Sequence, residues 1–232
     1  MYIYKYKIES TSYNSYFYCI ITLGVDYMKY IGSQTIETER LILKAQTMSE
    51  QKRLWQILMM PDVNKYFLTV PVKFKDKLLD WNKQEEYYLK DMEHANDFDV
   101  FRWSVFLKET GVCIGRVSCH EGHDEDENVI DPNIRGVGWL IDPFYQGKGY
   151  ATEAARAMID YMFTKADISE IRTGAAIVNP ASWLIMEKLG FSRGDKTKMV
   201  QYTFLEEPVE DYSYTLTKED YLKMNQNKSK KL

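Results

Sequence analysis

The sequence predicts an α+β (mixed α/β) domain in which a central, mostly antiparallel sheet is flanked by helices. Three observations carry that prediction. Segments with strand and helix patterning follow one another in the order β-α-α-β-β-β-α-β-α-β-β, which layers helices onto one sheet. Two central strands are joined by the short turn Glu109-Thr-Gly111, so they run antiparallel. Finally, Leu140 to Ala151 reads Leu-Ile-Asp-Pro-Phe-Tyr-Gln-Gly-Lys-Gly-Tyr-Ala, a strand, a glycine turn and a helix start in one unbroken stretch.

Thr38 to Ala45 alternates as a first strand, and Thr47-x-x-Glu50 forms a capping box ahead of Leu54, Trp55, Ile57 and Leu58, giving a helix that ends by Pro61. A second helix is predicted over Lys75 to Met92, where Leu78, Leu79, Trp81, Tyr88, Leu89 and Met92 stand among many charges. Val100 to Lys108 alternates again, with Phe101, Trp103, Val105 and Leu107 on one side, and Val112 to Cys119 completes the hairpin. After an acidic loop, Ile134 to Ile141 makes the fourth predicted strand, stopped by Pro143. The helix from Tyr150 to about Lys165 puts Ala151, Ala154, Ala155, Met158, Ile159 and Met162 on one face, which must pack on the sheet. Ile168 to Val178 is the fifth strand, Ala181 to Leu189 a short helix ended by Gly190, and two last strands are expected near Met199 to Leu205 and Tyr212 to Thr217.

At 232 residues, with no Pro/Ser/Gly-rich linker, the chain is expected to form one domain over residues 28–232. Met1 to Tyr27, with seven tyrosines, lacks the basic start and cleavage site of a secretory signal. It is either an extension that packs as an extra strand or the product of a start upstream of the functional one at Met28, and the second account is favoured. The net charge of −4 argues against nucleic acid as a partner, and the basic tail Lys228-Ser-Lys-Lys231 reads as a solvated end. No apolar run reaches the roughly 18 residues a membrane span needs. Cys19, Cys113 and Cys119 have neither zinc-ligand nor redox spacing, so a reduced, cytoplasmic protein without a metal is expected, as a monomer or homodimer.

The glycine turn is the most informative stretch. The first backbone N–H groups of the following helix have no internal partners and converge where the helix dipole favours negative charge. Gly147 and Gly149 let backbone approach an anion with no Cβ between them, and Lys148 adds a cation at the rim. This is chemistry suited to a phosphate. A Walker loop would need Gly-Lys-Ser/Thr where the chain has Gly-Lys-Gly. A dinucleotide fingerprint would need a third glycine where Thr152 stands, and an acidic residue ending the next strand, which ends instead at Asn179. Gln146, Gly149 and Ala151 together resemble the Gln/Arg-x-x-Gly-x-Gly/Ala signature of the GNAT N-acetyltransferases. Asn179-Pro-Ala-Ser182 followed by Leu189-Gly-Phe191 is similar to that family's later Asn-x-x-Ser and Leu-Gly-Phe elements, and Thr38-Glu-Arg-Leu-Ile-Leu43 is similar to the first strand of its ribosomal-protein-alanine acetyltransferase branch.

The resemblance implies that the fourth and fifth strands splay and that acetyl-CoA is the co-substrate. Its pantetheine arm would lie along Trp139, Leu140 and Ile141, and its pyrophosphate on Gln146, Gly147, Lys148, Gly149, Tyr150 and Ala151. It also implies that Asn179 bonds the arm or an ordered water, and that Ser182 stands near the thioester sulfur to assist the leaving thiolate. Asn179 is equally readable as a helix N-cap before Pro180 at N1, and Ser182 as support for the first turn. Many relatives carry a glutamate two residues before the Gly138-Trp139 pair, where this chain has Gly136. His120 and Glu121, with His123 and Asp124 beyond them, are therefore the base candidates after the third strand. Otherwise the run from Glu121 to Glu127 is a solvated charge cluster; facing the site, its five acidic residues would favour a cationic amine. The expected activity is N-acetyl transfer to a small-molecule or protein amine, and the alternative is a non-catalytic acyl-CoA-binding sensor.

Overall fold

The computed structural model describes residues 28–67, 72–94, 97–121 and 131–229, together with the backbone of strands β1 (Tyr2–Ile8) and β2 (Ser15–Ile21). These first two strands form an antiparallel pair of their own. The loop positions His123 and Asp124, the run beyond Glu121, the side chain of Cys19 and those of the basic tail lie outside the described residues.

Then come β3 (Ile36–Glu37), β4 (Leu41–Ala45), α1 (Met48–Leu58), α2 (Pro61–Asn64), α3 (Lys75–Leu78), α4 (Trp81–Met92), β5 (Phe101–Leu107), β6 (Cys113–Glu121) and β7 (Ile134–Ile141). The chain continues through α5 (Tyr150–Thr164), β8 (Glu170–Ala176), α6 (Pro180–Leu189), β9 (Ser192–Val200), β10 (Val209–Thr217) and α7 (Lys218–Ser229). Strands β3 to β10 make one eight-stranded sheet in the order β3-β4-β5-β6-β7-β8-β10-β9. Every neighbouring pair is antiparallel except β7 and β8.

Alternation sets the two faces of this sheet. Phe101, Trp103, Val105 and Leu107 of β5 all point into the main core, where they meet α5 through Ala154, Ala155, Met158, Ile159 and Met162. Each such side chain of Leu or Phe size, fully buried, contributes about 1.5–3 kcal/mol. Trp103 can be buried completely because its indole N–H donates to the Gln34 carbonyl at 2.7 Å. On the opposite face α1 packs Ile57 and Leu58 against Leu140 of β7. Met28 enters the main core with its side chain buried, and its backbone N–H donates to Asn133 Oδ1.

Four expectations about elements need correction. The first predicted strand starts at Leu41 (β4) and not at Thr38, which turns the chain by accepting from the Leu41 N–H (3.0 Å), and the two-residue strand β3 precedes that turn. The helix expected over Lys75 to Met92 breaks in two: Asp80 caps α4 by accepting from the Asn82 N–H (3.1 Å), while the Trp55 indole takes the Leu78 carbonyl (2.8 Å). Strand β9 occupies Ser192–Val200 and not Met199 to Leu205, since it is an exposed edge strand with no face to bury and so carries no apolar alternation. Tyr202 and Thr203 are buried in the connection that follows. Helix α7 was not anticipated; its Tyr221 stacks on Phe163 with ring centroids 5.0 Å apart.

Candidate functional site

Strands β7 and β8 pair only through Ile134 with Glu170 and Arg135 with Ile171. Past these two pairs they diverge, held by the Thr173 hydroxyl donating to the Val137 carbonyl at 3.2 Å. A gap therefore opens beyond Val137, leaving the β8-side edge of β7 without a strand partner. Into its wide end runs a cavity of about 460 Å³. Trp139, Leu140 and Ile141 line one side, the turn Gln146, Gly147, Gly149, Tyr150 and Ala151 lines the end, and Asn179 and Ser182 line the other side.

The turn is built as its composition requires. Gly147 and Gly149 both have left-handed backbone, φ 73 and 82. A Cβ at Gly147 would meet nothing within 4 Å, so the concave side is open. Gly149 is the N-cap of α5, a helix of 15 residues, whose first intrahelical bond runs from the Glu153 N–H to the Gly149 carbonyl (3.0 Å). The Gln146 carboxamide donates to the Ile141 carbonyl at 2.8 Å and so braces the turn to the end of β7. Asp142, fully buried, holds the same end from outside: it accepts from the Phe144 N–H at 2.9 Å and pairs with Arg53 of α1. Lys148 is not on the cavity wall; its ammonium lies 5.4 Å from the Tyr145 ring centroid.

Arg40 forms the outer clamp of this turn, a role its place in the first strand motif did not reveal. Its guanidinium donates to Glu153 Oε2 (2.7 Å) and to the Lys148 carbonyl (3.0 Å), and it lies 4.6 Å from the Tyr150 ring centroid. Glu153 also accepts from the Arg40 N–H (2.9 Å) and from the Thr38 hydroxyl (2.6 Å). Burial pushes the Glu153 carboxyl up, but the Thr38 and Arg40 hydrogen bonds together outweigh it and hold the carboxyl below its ordinary value.

Asn179 does occupy the N-cap position of α6 with Pro180 at N1, yet its side chain makes no capping hydrogen bond. It is partly exposed on the cavity wall, beside Ser182, whose backbone N–H donates to the Asn179 carbonyl at 3.1 Å. The cavity has a fourth wall that sequence reasoning missed: Asp62 and Val63 of α2 with Tyr66 and Phe67 after it. The available signal was Pro61, which starts a helix as well as ending one. Tyr66 meets Tyr202 edge-on at 5.9 Å, and the Tyr202 hydroxyl donates to Asp211 at 2.7 Å. Burial pushes the Asp211 carboxyl up, opposed by that hydrogen bond.

The two base candidates part company at the apex of the gap. His120 pairs in register with Gly136, and Glu121 with Arg135. Successive strand residues face opposite ways, so His120 shares the face of Gly136, Gly138 and Leu140 while Glu121 is turned to the other. Both His120 and Glu121 are exposed, and neither is on the cavity wall. A Cβ at Gly136 would fall within the His120 imidazole, nearest Nε2. A thiol nucleophile finds no support among the described residues: burial pushes Cys113 up to about 11 and Cys119 up to about 12. No described helix is long and apolar enough to cross a membrane.

The sequence and the fold are similar to those of known proteins. The family model described as "Acetyltransferase (GNAT) domain" matches residues 40–192. The "Uncharacterized N-acetyltransferase p20" of Bacillus licheniformis is 26% identical over 160 residues, 69% of this chain and 83% of that protein. The "Uncharacterized N-acetyltransferase YnaD" of Bacillus subtilis is 29% identical over 92 residues, 40% of this chain and 50% of that protein. In structure, the ribosomal-protein-S5-alanine acetyltransferase of Vibrio fischeri superposes with a TM-score of 0.63 at 19% identity, over 82% of this chain and 99% of that one, a likeness of fold.

Proposed function

The chain belongs to the acetyltransferase (GNAT) family, and on that premise we propose that it moves the acetyl group of acetyl-CoA to a primary amine by direct attack within a ternary complex. One observation carries this reading: a single cavity joins the open glycine turn, the unpaired edge of β7, and Asn179 and Ser182 of α6. The pyrophosphate is assigned to the amides of Gly147 to Ala151, where two left-handed glycines and the N-terminus of α5 converge. The pantetheine arm is assigned to the gap, where it would add to the edge of β7 along Trp139 to Ile141 as a strand does.

The chemistry asks three things of the protein: a neutral amine, donors for the tetrahedral oxyanion, and a proton for the thiolate. Amides of β7 that face the gap are the oxyanion donors, and Asn179 orients the arm with a carboxamide that capping leaves uncommitted. As the nitrogen–carbon bond forms and the carbon–sulfur bond breaks, the Ser182 hydroxyl supplies a hydrogen bond or proton to the departing sulfur and is re-protonated from solvent. The two raised thiols speak for direct attack over an acetyl-cysteine intermediate at those positions. The acceptor enters from the α2 side, past Asp62, Tyr66 and Phe67, a wall of one carboxylate and two aromatic rings that suits a cationic amine. The catalytic unit is assigned to residues 28–232, since Met28 already lies in the core.

A non-catalytic acyl-CoA-binding role draws on one observation, the glycine at position 136. Release of free CoA thiol during a screen of protein α-amines, polyamines and aminoglycoside-like amines separates the two. Turnover with any acceptor class supports transfer, and acetyl-CoA binding without thiol release from any of them would overturn it.

A further inference from the structure

We propose that His120 is the general base of this site, with Gly136 the residue that admits it. The inference rests on the transfer reading above and names the group that takes the amine proton. Gly136 is the first residue of β7 beyond its last pair with β8, so it lies at the apex of the gap. The space its side chain would fill holds the His120 imidazole, delivered from the neighbouring strand at the paired register position. Any larger residue at 136 would evict that ring. Gly138, next on the same face, is open: a Cβ there would meet only Ser118 Oγ, at 3.7 Å. His120 thus covers Gly136, and Gly138 beside it floors a short bare trough on β7, bordered by His120 and Ser118 of β6. Glycine within a strand marks a place where something must approach the backbone closely.

The trough lies on the sheet face away from α5 and shares it with Leu140, which lines the cavity. From Gly136 to Leu140 the strand covers roughly 13 Å at about 3.3 Å per residue. A thioester extending from the glycine turn along β7 toward the apex therefore approaches His120, and an acceptor in the trough reaches the imidazole directly or through one water. Among the described residues, the charged and titratable groups on this face near His120 are Arg102 with Asp91 of α4 (2.5 Å), Arg116, Tyr88 of α4, and the ion-paired Glu170 and Arg172 of β8. Asp62 stands on the outer cavity wall. Asp91 and Glu170 are held in ion pairs with Arg102 and Arg172, and Asp62 lines the cavity, whose wall does not include His120. In the step, the amine nitrogen bonds the thioester carbonyl carbon, its proton passes to the imidazole, and the carbon–sulfur bond breaks; the departing thiolate takes a proton from the Ser182 hydroxyl, which solvent replaces, and leaves as CoA thiol. The imidazolium then returns its proton to solvent.

The test uses the full chain, the best acceptor from the amine screen, and kcat/KM measured against pH, with acetyl-CoA affinity followed separately by calorimetry. His120→Gln and His120→Ala should each lower kcat/KM by about 10²-fold or more, the usual contribution of a positioned base, and flatten the acidic limb while the acetyl-CoA Kd stays at the parental value. Adding Gly136→Glu to His120→Ala should restore at least tenfold, because the vacated space then accepts a carboxylate, and should move the acidic limb to lower pH. Parental kcat/KM with the parental acidic limb in folded His120→Gln would overturn the assignment and leave the transfer reading intact. No thiol release by the parent protein with any amine would overturn both.

Discussion

Replacing Gly149 with valine attacks the proposed anion site at its most constrained point. Gly149 has φ 82, where an L residue costs about 1–2 kcal/mol and a β-branched one more. The added Cβ would sit 3.4 Å from Arg40 Nη2, a contact that a flexible guanidinium can yield, so backbone conformation dominates the effect. The turn can relieve the strain only by rotating the peptides on either side of residue 149, which takes their amides out of line with the anion. Losing one charge-assisted hydrogen bond costs about 1.5–3 kcal/mol, which corresponds to at least a tenfold weaker Kd. Calorimetry with acetyl-CoA reads this directly, and a melting curve confirms that the variant is folded. Gly149→Asn should fall between parent and valine, since asparagine tolerates left-handed backbone. A folded valine variant with the parental Kd would refute the assignment of the pyrophosphate to this turn.

Ser182→Ala should lower kcat while the acetyl-CoA Kd holds, and equal turnover would leave Ser182 as a first-turn residue only. Arg40→Met should raise the acetyl-CoA KM several-fold with kcat nearly unchanged, because it removes the clamp on Lys148 and Glu153 but no reacting group; a matched fall in kcat would contradict that role. Glu153, whose folded pKa is depressed, adds stability that is present above its unfolded value and is lost as pH falls through the folded one. Melting curves of parent and Glu153→Gln should therefore converge on acidification, and a gap that persists at low pH would show that the carboxylate's charge is not what matters. A chain starting at Met28 should keep its melting temperature and activity, and a drop of several degrees would show that residues 1–27 pack on the core.

The legible parts of this protein are those where local chemistry fixes the backbone. Ile134–Ile141 was read with both ends correct because Pro143 and the glycine turn follow it, and the buried face of α5 was legible from its spacing. The glycine turn showed its left-handed residues in its composition. What stayed hidden depends on partners distant in sequence. Arg40 acquires its role only when β4 brings it 113 residues back to Glu153. The α2 wall forms because Tyr66 and Phe67 fold over the end of β7, and nothing in their own neighbourhood announces a ligand. Strand β9 escaped because an edge strand in water needs no alternation. That His120 lies beside Gly136 and Glu121 on the opposite face required the register of β6 on β7, since a shift by one residue exchanges the two faces.

The initial-rate pattern with both substrates varied tests direct transfer in one cavity most closely. With the best amine, double-reciprocal plots at several acetyl-CoA concentrations should intersect, and mass spectrometry should find one acetylated amine for each CoA thiol released. Parallel lines, with an acetylated protein isolated in the absence of amine, would contradict the account, because they would show that the acetyl group rests on the enzyme before it reaches the acceptor.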